Sequence, residues 1–236
     1  MCQGCGCTVT AEPVSDVSVA VLSTLLRENE SQAVHNRTHL RDAGVLALNL
    51  MSAPGSGKTS LLEATIDALA GRMRVGVIEG DLETENDARR IRAKGVPAVQ
   101  ITTGQACHLD AHMVHTALHM LDLERIDVLF IENVGNLVCP AGFDLGQWAN
   151  VVLLAVTEGD DKPAKYPVMF RASDLVLMTK TDLLKAVGDF SPQRAESHLR
   201  DLASAAPVLD VSARKPDTLA PWVDWIEAQL VAARGG

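Results

Sequence analysis

Eight consecutive residues, Ser52-Ala53-Pro54-Gly55-Ser56-Gly57-Lys58-Thr59, have the types and spacing of a phosphate-binding loop. Gly55 and Gly57 free the backbone to curl, so that its N–H groups, with that of Ser56, can meet anionic oxygens. Lys58 has the reach and charge for the β- and γ-phosphates of a nucleotide. The Thr59 hydroxyl suits Mg²⁺, and Ser60 continues into a helical pattern. The helix N-terminus adds its positive dipole end to the same spot. One position departs from the usual pattern, which opens on Gly: here it is Ser52.

A second set of residues suits soft or borderline metal ions. Cys2, Cys5 and Cys7 form a Cys-x-x-Cys-Gly-Cys run, and closely spaced thiolates suit Ni²⁺, Zn²⁺ or Cu⁺. Redox chemistry is the alternative for such a run, but no βαβ pattern surrounds it. Further along, Cys107-His108-Leu109-Asp110-Ala111-His112 is read as opening a helix that continues through His115 and His119. His108 and His112 would then share one face of that helix, with Cys107 beside them. Cys139 is the fifth cysteine, and an odd count argues against a disulfide framework. His35 and His39 are also four apart, and are read as a solvated polar face beside Asn36 and Arg37 rather than a metal pair.

These residues need elements to hold them. Val45–Met51 is an apolar run of strand character that leads into the loop, and a helix follows to about Ala70. Further strands are predicted at 74–78, 97–101, 127–131, 150–156, 174–178 and 207–211, and helices at 14–43, 83–94, 110–121 and 219–231. In the first of these helices Val17, Val21, Leu25, Ala33 and Leu40 recur at helical spacing and form its expected apolar stripe. Trp222 and Trp225 in the last helix are read as packing. Alternating strands and helices predict a three-layer α/β P-loop NTPase fold with a mostly parallel central sheet. Residues 1–13 would be a flexible, Cys-rich metal-binding tail, and 14–236 the nucleotide-binding domain. Two carboxylates end strands on the phosphate side. Asp81 follows the second strand and is placed for Mg²⁺, for a water, or for capping the next helix. Glu132 ends the strand at 127–131.

The chain has 236 residues, net charge −9, 3% aromatic residues and 47% hydrophobic residues. That balance supports a sizeable core and argues against nucleic acid as a partner. No apolar run is long enough to span a membrane and no secretory signal is visible, so the expected location is the cytoplasm.

Several stretches resemble motifs of P-loop GTPases. Glu132 followed by Gly135 resembles the motif that flanks Mg²⁺ and the γ-phosphate, with Glu in place of the usual Asp. Thr179-Lys180-Thr181-Asp182 resembles the guanine-specificity motif, with Thr179 in place of Asn. Ser212-Ala213 resembles the last guanine-contacting loop. Taken with Cys-x-x-Cys-Gly-Cys, Cys-His-Leu-Asp-Ala-His, Glu-Asn-Val-Gly-Asn-Leu-Val-Cys-Pro and Glu-Gly-Asp-Asp-Lys-Pro, the chain resembles the hydrogenase nickel-incorporation GTPases of the HypB family. The resemblance implies a SIMIBI-class GTPase, the class that includes signal-recognition-particle GTPases. It implies GTP and GDP as nucleotides, and nickel delivery to the large subunit precursor of [NiFe] hydrogenase. It also implies a GTP-favoured homodimer and a small zinc-containing maturation partner. Cys2, Cys5 and Cys7 match the family's N-terminal nickel site. Cys107, His108 and Cys139 match its Ni²⁺- or Zn²⁺-binding site in the G domain, with His112 a match in some members. The His-rich stretch of some members is missing, which points to nickel transfer rather than storage.

Two rival readings set other expectations. A P-loop kinase or ATPase with a structural zinc site would prefer ATP. A nickel-buffering protein with vestigial nucleotide binding would work without Lys58. For hydrolysis the residues in hand are Lys58, Thr59, Asp81 and Glu132, and neither a water-positioning Gln nor an arginine finger is identifiable. Intrinsic GTP hydrolysis by the isolated chain should therefore be slow. Rapid phosphate release in a single-turnover assay would contradict this.

Overall fold

The computed structural model describes residues 16–81, 85–104 and 106–235. Cys2, Cys5 and Cys7 lie outside the described residues. Among the described residues seven strands form one sheet: β1 (Leu46–Ser52), β2 (Val75–Asp81), β3 (Ala98–Thr102), β4 (Val128–Glu132), β5 (Ala149–Ala155), β6 (Leu175–Thr179) and β7 (Val208–Asp210). Their order is β3-β2-β4-β1-β5-β6-β7, and every pairing is parallel. Parallel strands require crossover connections, which cover both faces of the sheet with helices. That explains why β1, β4 and β5 are apolar along nearly their whole length rather than alternating.

The helices are α1 (Asp16–Asp42), α2 (Lys58–Leu69), α3 (Asn86–Ala93), α4 (Ala111–Leu118), α5 (Lys162–Lys165), α6 (Pro167–Arg171), α7 (Pro192–Asp201) and α8 (Ala220–Gly235). One face of the sheet carries α2 and α8, with Leu62, Leu69, Trp222 and Ile226 packed on Leu46, Leu48 and Phe130. Trp222 is buried as expected, stacks on Trp225 and donates its indole N–H to Thr65 Oγ1 at 3.0 Å. The opposite face carries α1 and α4 through Leu40, Val114 and Leu118, and α6 and α7 through Met169, Phe170 and Leu199. Helix α7 was not anticipated, because its polar sequence exposes little but Ala195 and Leu199 to the core.

Three expectations are corrected. The stripe expected on α1 included Leu25, yet Leu25 is exposed, whereas Ala33 and Leu40 are buried. Asn36, expected on a solvated face, is fully buried: its amide donates to Ala111 O at 2.8 Å and to Leu145 O at 3.0 Å. Asn29 makes a parallel clamp, accepting from Ala111 N at 2.8 Å and donating to Asp144 O at 2.8 Å. Buried amides with every partner satisfied specify one docking register for α1. The third correction concerns α4. It begins at Ala111, capped by Asp110, which accepts from Met113 N at 2.8 Å. Cys107 and His108 therefore precede the helix, and no helical face joins His108 to His112.

Gly146 sits where α1 crosses the 144–146 turn. Its φ is +89°, and an added Cβ would lie 2.6 Å from Ala33 O and 2.7 Å from Asn36 Cβ. Gly146→Ala should destabilise the chain by more than about 1 kcal/mol, since both backbone conformation and space oppose it. A lowered urea midpoint with an unchanged slope would register the loss.

Candidate functional site

In a parallel sheet, the loops that follow the strands gather at the carboxyl edge, where open α/β folds bind ligands. The loop after β1 has Gly55 at φ +74° and Gly57 at φ +95°, conformations that side chains resist. Gly57 is the N-cap of α2 and no side chain caps it, so the first N–H groups of the helix open onto the loop. Ser52 is the hub beneath. Its hydroxyl donates to Ala53 O at 2.8 Å, and accepts from Ser56 Oγ and from Lys58 Nζ at 3.1 Å. One donor and two acceptor positions are thereby all used. The departure from Gly thus parks the Lys58 ammonium beside the loop.

Behind the loop lie two carboxylates. Glu79 and Glu132 are register partners on adjacent strands β2 and β4, and both are buried. Glu132 Oε1 accepts from Thr59 Oγ1 at 3.0 Å, while Glu132 Oε2 and Glu79 Oε1 have no partner. Burial, and then the nearby charge of Glu132, push the Glu79 carboxyl up to about 10. Burial also raises Glu132, against the attraction of Lys58 and the Thr59 hydrogen bond. Asp81, Asp87, Lys58 and Gly135 line the cleft with this pair. Asp81 does not cap the next helix, whose N-cap is Glu85. Glu79 was missed in the sequence, although it lies two residues before Asp81 and so shares its face of the strand.

The pocket beside the loop is lined by Ser56, Gly57, Ser60, Thr179, Lys180, Asp182, Ser212 and Ala213, among others. Thr179 donates to Ser56 O at 2.8 Å, and Lys180 Nζ to Gly55 O at 2.6 Å. These two bonds pin the loop after β6 to the loop after β1. Ser212 Oγ donates to Asp182 Oδ1 at 2.6 Å, orienting the carboxylate.

Cys107, His108 and Cys139 converge, with their ligand atoms within 4.8 Å of one another. Cys107 Sγ lies 3.7 Å from His108 Nδ1, and the His108 ring stacks on Phe143 at 3.8 Å between centroids. Burial holds the His108 imidazole below its usual value, which favours the neutral, ligating form. The Cys107 hydrogen bond, with burial, holds the Cys139 thiol up. His112 is exposed on α4, outside this group.

Two asparagines join the cysteine group to the nucleotide side. Asn133, next to Glu132, accepts from Leu109 N at 3.1 Å and donates to Asn49 Oδ1 at 3.2 Å in the core of β1. Asn136 donates to Cys107 O at 3.4 Å and accepts from Val138 N at 2.8 Å and Cys139 N at 3.4 Å. Between them, Gly135 lies so close to Pro54 that a Cβ would fall 2.9 Å from Pro54 Cα. The 132–139 segment therefore touches the phosphate loop at one end and the thiols at the other.

Residues 46–210 match the family described as CobW/HypB/UreG, nucleotide-binding domain. Hydrogenase maturation factor HypB of Azotobacter vinelandii is 53% identical over 205 residues, covering 87% of this chain and 67% of that protein. The chain belongs to the HypB family. The crystal structure of HypB from Helicobacter pylori in complex with nickel is similar, with a TM-score of 0.84 and 41% identity, over 87% of this chain and 96% of that one. Signal recognition particle receptor FtsY from Elizabethkingia anophelis, in complex with GDP, shares the fold alone. Its TM-score is 0.50 at 13% identity, over 83% of this chain and 72% of that one. As a HypB-family member with this nucleotide-binding domain, the chain is a GTPase. No helix among the described residues is long and apolar enough to cross a membrane.

The raised Glu79 has a consequence for stability. The folded chain keeps a proton that the unfolded chain releases above the ordinary carboxylate range. The stabilisation is full at acidic pH and is lost as pH rises toward 10. Without nucleotide, the urea midpoint should fall as pH rises above neutrality. Glu79→Gln, which mimics the protonated acid, should flatten that slope. An identical slope in the variant would contradict the assignment.

Proposed function

We propose that this chain is a GTP-driven nickel metallochaperone that serves [NiFe] hydrogenase maturation. The observation that carries the reading is the continuous path from Pro54 through Gly135 and Asn136 to Cys107 and Cys139. Similarity to hydrogenase maturation factors, one of them solved with nickel, supports nickel as cargo and hydrogenase as its destination. The recipient would be the large subunit precursor. A small zinc-containing maturation factor would assist, and the working form would be a homodimer favoured by GTP.

GTP would lie with its phosphates over Gly55–Thr59. Lys58 would leave Ser52 for the phosphate oxygens, an exchange of a neutral for a charged acceptor. The base would enter the pocket of Lys180, Asp182, Ser212 and Ala213. The Asp182 carboxylate, oriented by Ser212, would accept from guanine N1–H and the exocyclic amine, while the Ser212-Ala213 backbone would meet the base oxygen. Adenine lacks that pair of donors, which favours GTP over ATP and weighs against the kinase or ATPase reading.

The residues also fit Mg²⁺. Two buried carboxylate oxygens without partners, on Glu79 and Glu132, face a cleft that holds Thr59 and Asp81, a hard oxygen-donor set. Thr59 would hold the ion directly, and Asp81, Glu132 and Glu79 through water. When bound, it supplies positive charge against the developing phosphate charge. The Thr59 hydroxyl would meet the ion with a lone pair while still donating to Glu132 Oε1, so a bound ion would be tied through Thr59 to Glu132 at the root of the 132–139 segment.

Movement of that segment would shift Cys139 relative to Cys107 and His108 and change the grip on the cargo ion. Thiolates with an imidazole suit Ni²⁺ and Zn²⁺ alike. Square-planar thiolate geometry would favour nickel, and a tetrahedral Cys/His set zinc. Cys2, Cys5 and Cys7 would form a second cargo site in the N-terminal stretch.

Linkage makes the idea testable, because metal must alter nucleotide affinity by the factor with which nucleotide alters metal affinity. Nickel titrations should give affinities for the GDP form and for a form with a non-hydrolysable GTP analogue that differ by at least about fivefold. Cys139→Ser should abolish the difference, and Lys58→Ala should abolish hydrolysis. Equal nickel affinities, together with unchanged dimerisation, would sink the coupling.

A further inference from the structure

Four histidines meet on the outer seam between α1 and α4, apart from the Cys107–His108–Cys139 group. His35 and His39 sit one turn apart on α1, and His115 and His119 one turn apart at the end of α4. The His35 and His115 ring centroids are 5.0 Å apart, those of His39 and His119 5.5 Å, and those of His115 and His119 4.5 Å. The Nε2 atoms of His115 and His119 face each other at 3.1 Å.

The hydrogen bonds beneath settle the tautomer of His115. The Asn36 amide nitrogen faces two backbone carbonyls, Ala111 O and Leu145 O, which can only accept. Asn36 Oδ1 is therefore an acceptor, and His115 Nδ1, 3.1 Å away, must donate to it. The His115 proton is on Nδ1, and its Nε2 offers a lone pair outward. A buried carbonyl-type oxygen behind the distal ring nitrogen is the usual support of a ligating histidine. Asn36 is itself fully buried and clamped, so the lone pair has a fixed direction.

We propose that His115 Nε2 and His119 Nε2, completed by His39 and His35, form a further, all-imidazole site for a divalent transition-metal ion such as Ni²⁺ or Zn²⁺. With metal–nitrogen bonds of about 2.0–2.1 Å, a 3.1 Å nitrogen separation corresponds to a ligand–metal–ligand angle of roughly 100°. That lies between octahedral and tetrahedral values, so the spacing suits a single ion once His119 Nε2, which donates to the His115 lone pair in the metal-free chain, has given up its proton. His119 would carry its proton on Nδ1 when ligating. Rotation of the exposed His35 ring and the half-buried His39 ring would bring the third and fourth nitrogens. Metal sites in helical layers are built from side chains that facing helices turn toward each other. Imidazole ligands suit nickel, zinc and copper. The site lies on the surface, open to metal from solvent, and does not depend on nucleotide coupling at the thiols.

The test uses the full chain with all five cysteines replaced by serine, titrated with Ni²⁺ and, separately, Zn²⁺ by equilibrium dialysis. One equivalent of Ni²⁺ or Zn²⁺ should remain bound, with an absorption-edge spectrum showing nitrogen and oxygen neighbours but no sulfur. His39→Gln with His119→Gln should weaken that binding at least tenfold, while His108→Asn with His112→Asn should leave it unchanged. On the unsubstituted chain, Ni²⁺ added beyond the two equivalents that the thiol sites take up should broaden the imidazole resonances of His115 and His119, a readout that needs no substitution. No retained metal in the cysteine-free chain, equal binding by the His39/His119 variant, or loss on the His108/His112 substitution would overturn the proposal.

Discussion

Two carboxylates side by side beneath a phosphate loop are the constraint around which the site is arranged. Glu79 and Glu132 are buried on neighbouring strands, where two negative charges in a low dielectric cannot both persist cheaply. The pair is tolerable because Lys58 and the Thr59 hydroxyl stand against it from the start of α2. This places β1, β2 and β4 in one fixed register and aims the helix N-terminus at the same cleft. Oxygen atoms left without partners in a buried position are a reservoir of unfavourable energy that a bound cation would relieve. The nucleotide site is thus built to be incomplete.

The acid pair and the thiols are joined by contact. The 132–139 segment begins at a member of the acid pair, touches Pro54 at Gly135, and ends at a thiol. Asn133 and Asn136 tie it to the Leu109 and Cys107 backbone, so the two thiol-bearing strands of chain cannot move independently of it. Asn49 extends the same amide chain into the central strand, to Asn150 on β5 at 3.0 Å. A polar residue in the core of the central strand would be costly alone, and here it is the anchor of that network.

The departures from the common GTPase motifs have local explanations. Ser52 receives Lys58 and Ser56, and Thr179 reaches the Ser56 carbonyl. Ser52 thus contacts side chains within the loop and at the start of α2, and Thr179 reaches onto the loop from β6. The phosphate loop is therefore held together by side chains from β1, α2 and β6 at once. Its conformation is set by the sheet order, which places β1 between β4 and β5.

The sequence by itself determined the strand–loop–helix unit, the strand positions to within a few residues, and the guanine-side and cysteine motifs. Those signals are local: glycine spacing, apolar runs buried on both faces, and a cation followed by a hydroxyl. It also placed Cys107, His108 and Cys139 in one group, through the resemblance of longer motifs rather than through periodicity. Tertiary structure alone decided the partners of Glu79, the burial of Asn36, the place of Cys107 and His108 before α4 rather than on it, and the meeting of His35 and His39 with His115 and His119. Each of these depends on which strands and helices become neighbours. A side chain's desolvation, its hydrogen-bond partner and its tautomer are properties of the packed pair, and residues tens of positions apart carry no sign of each other until the sheet order brings them together.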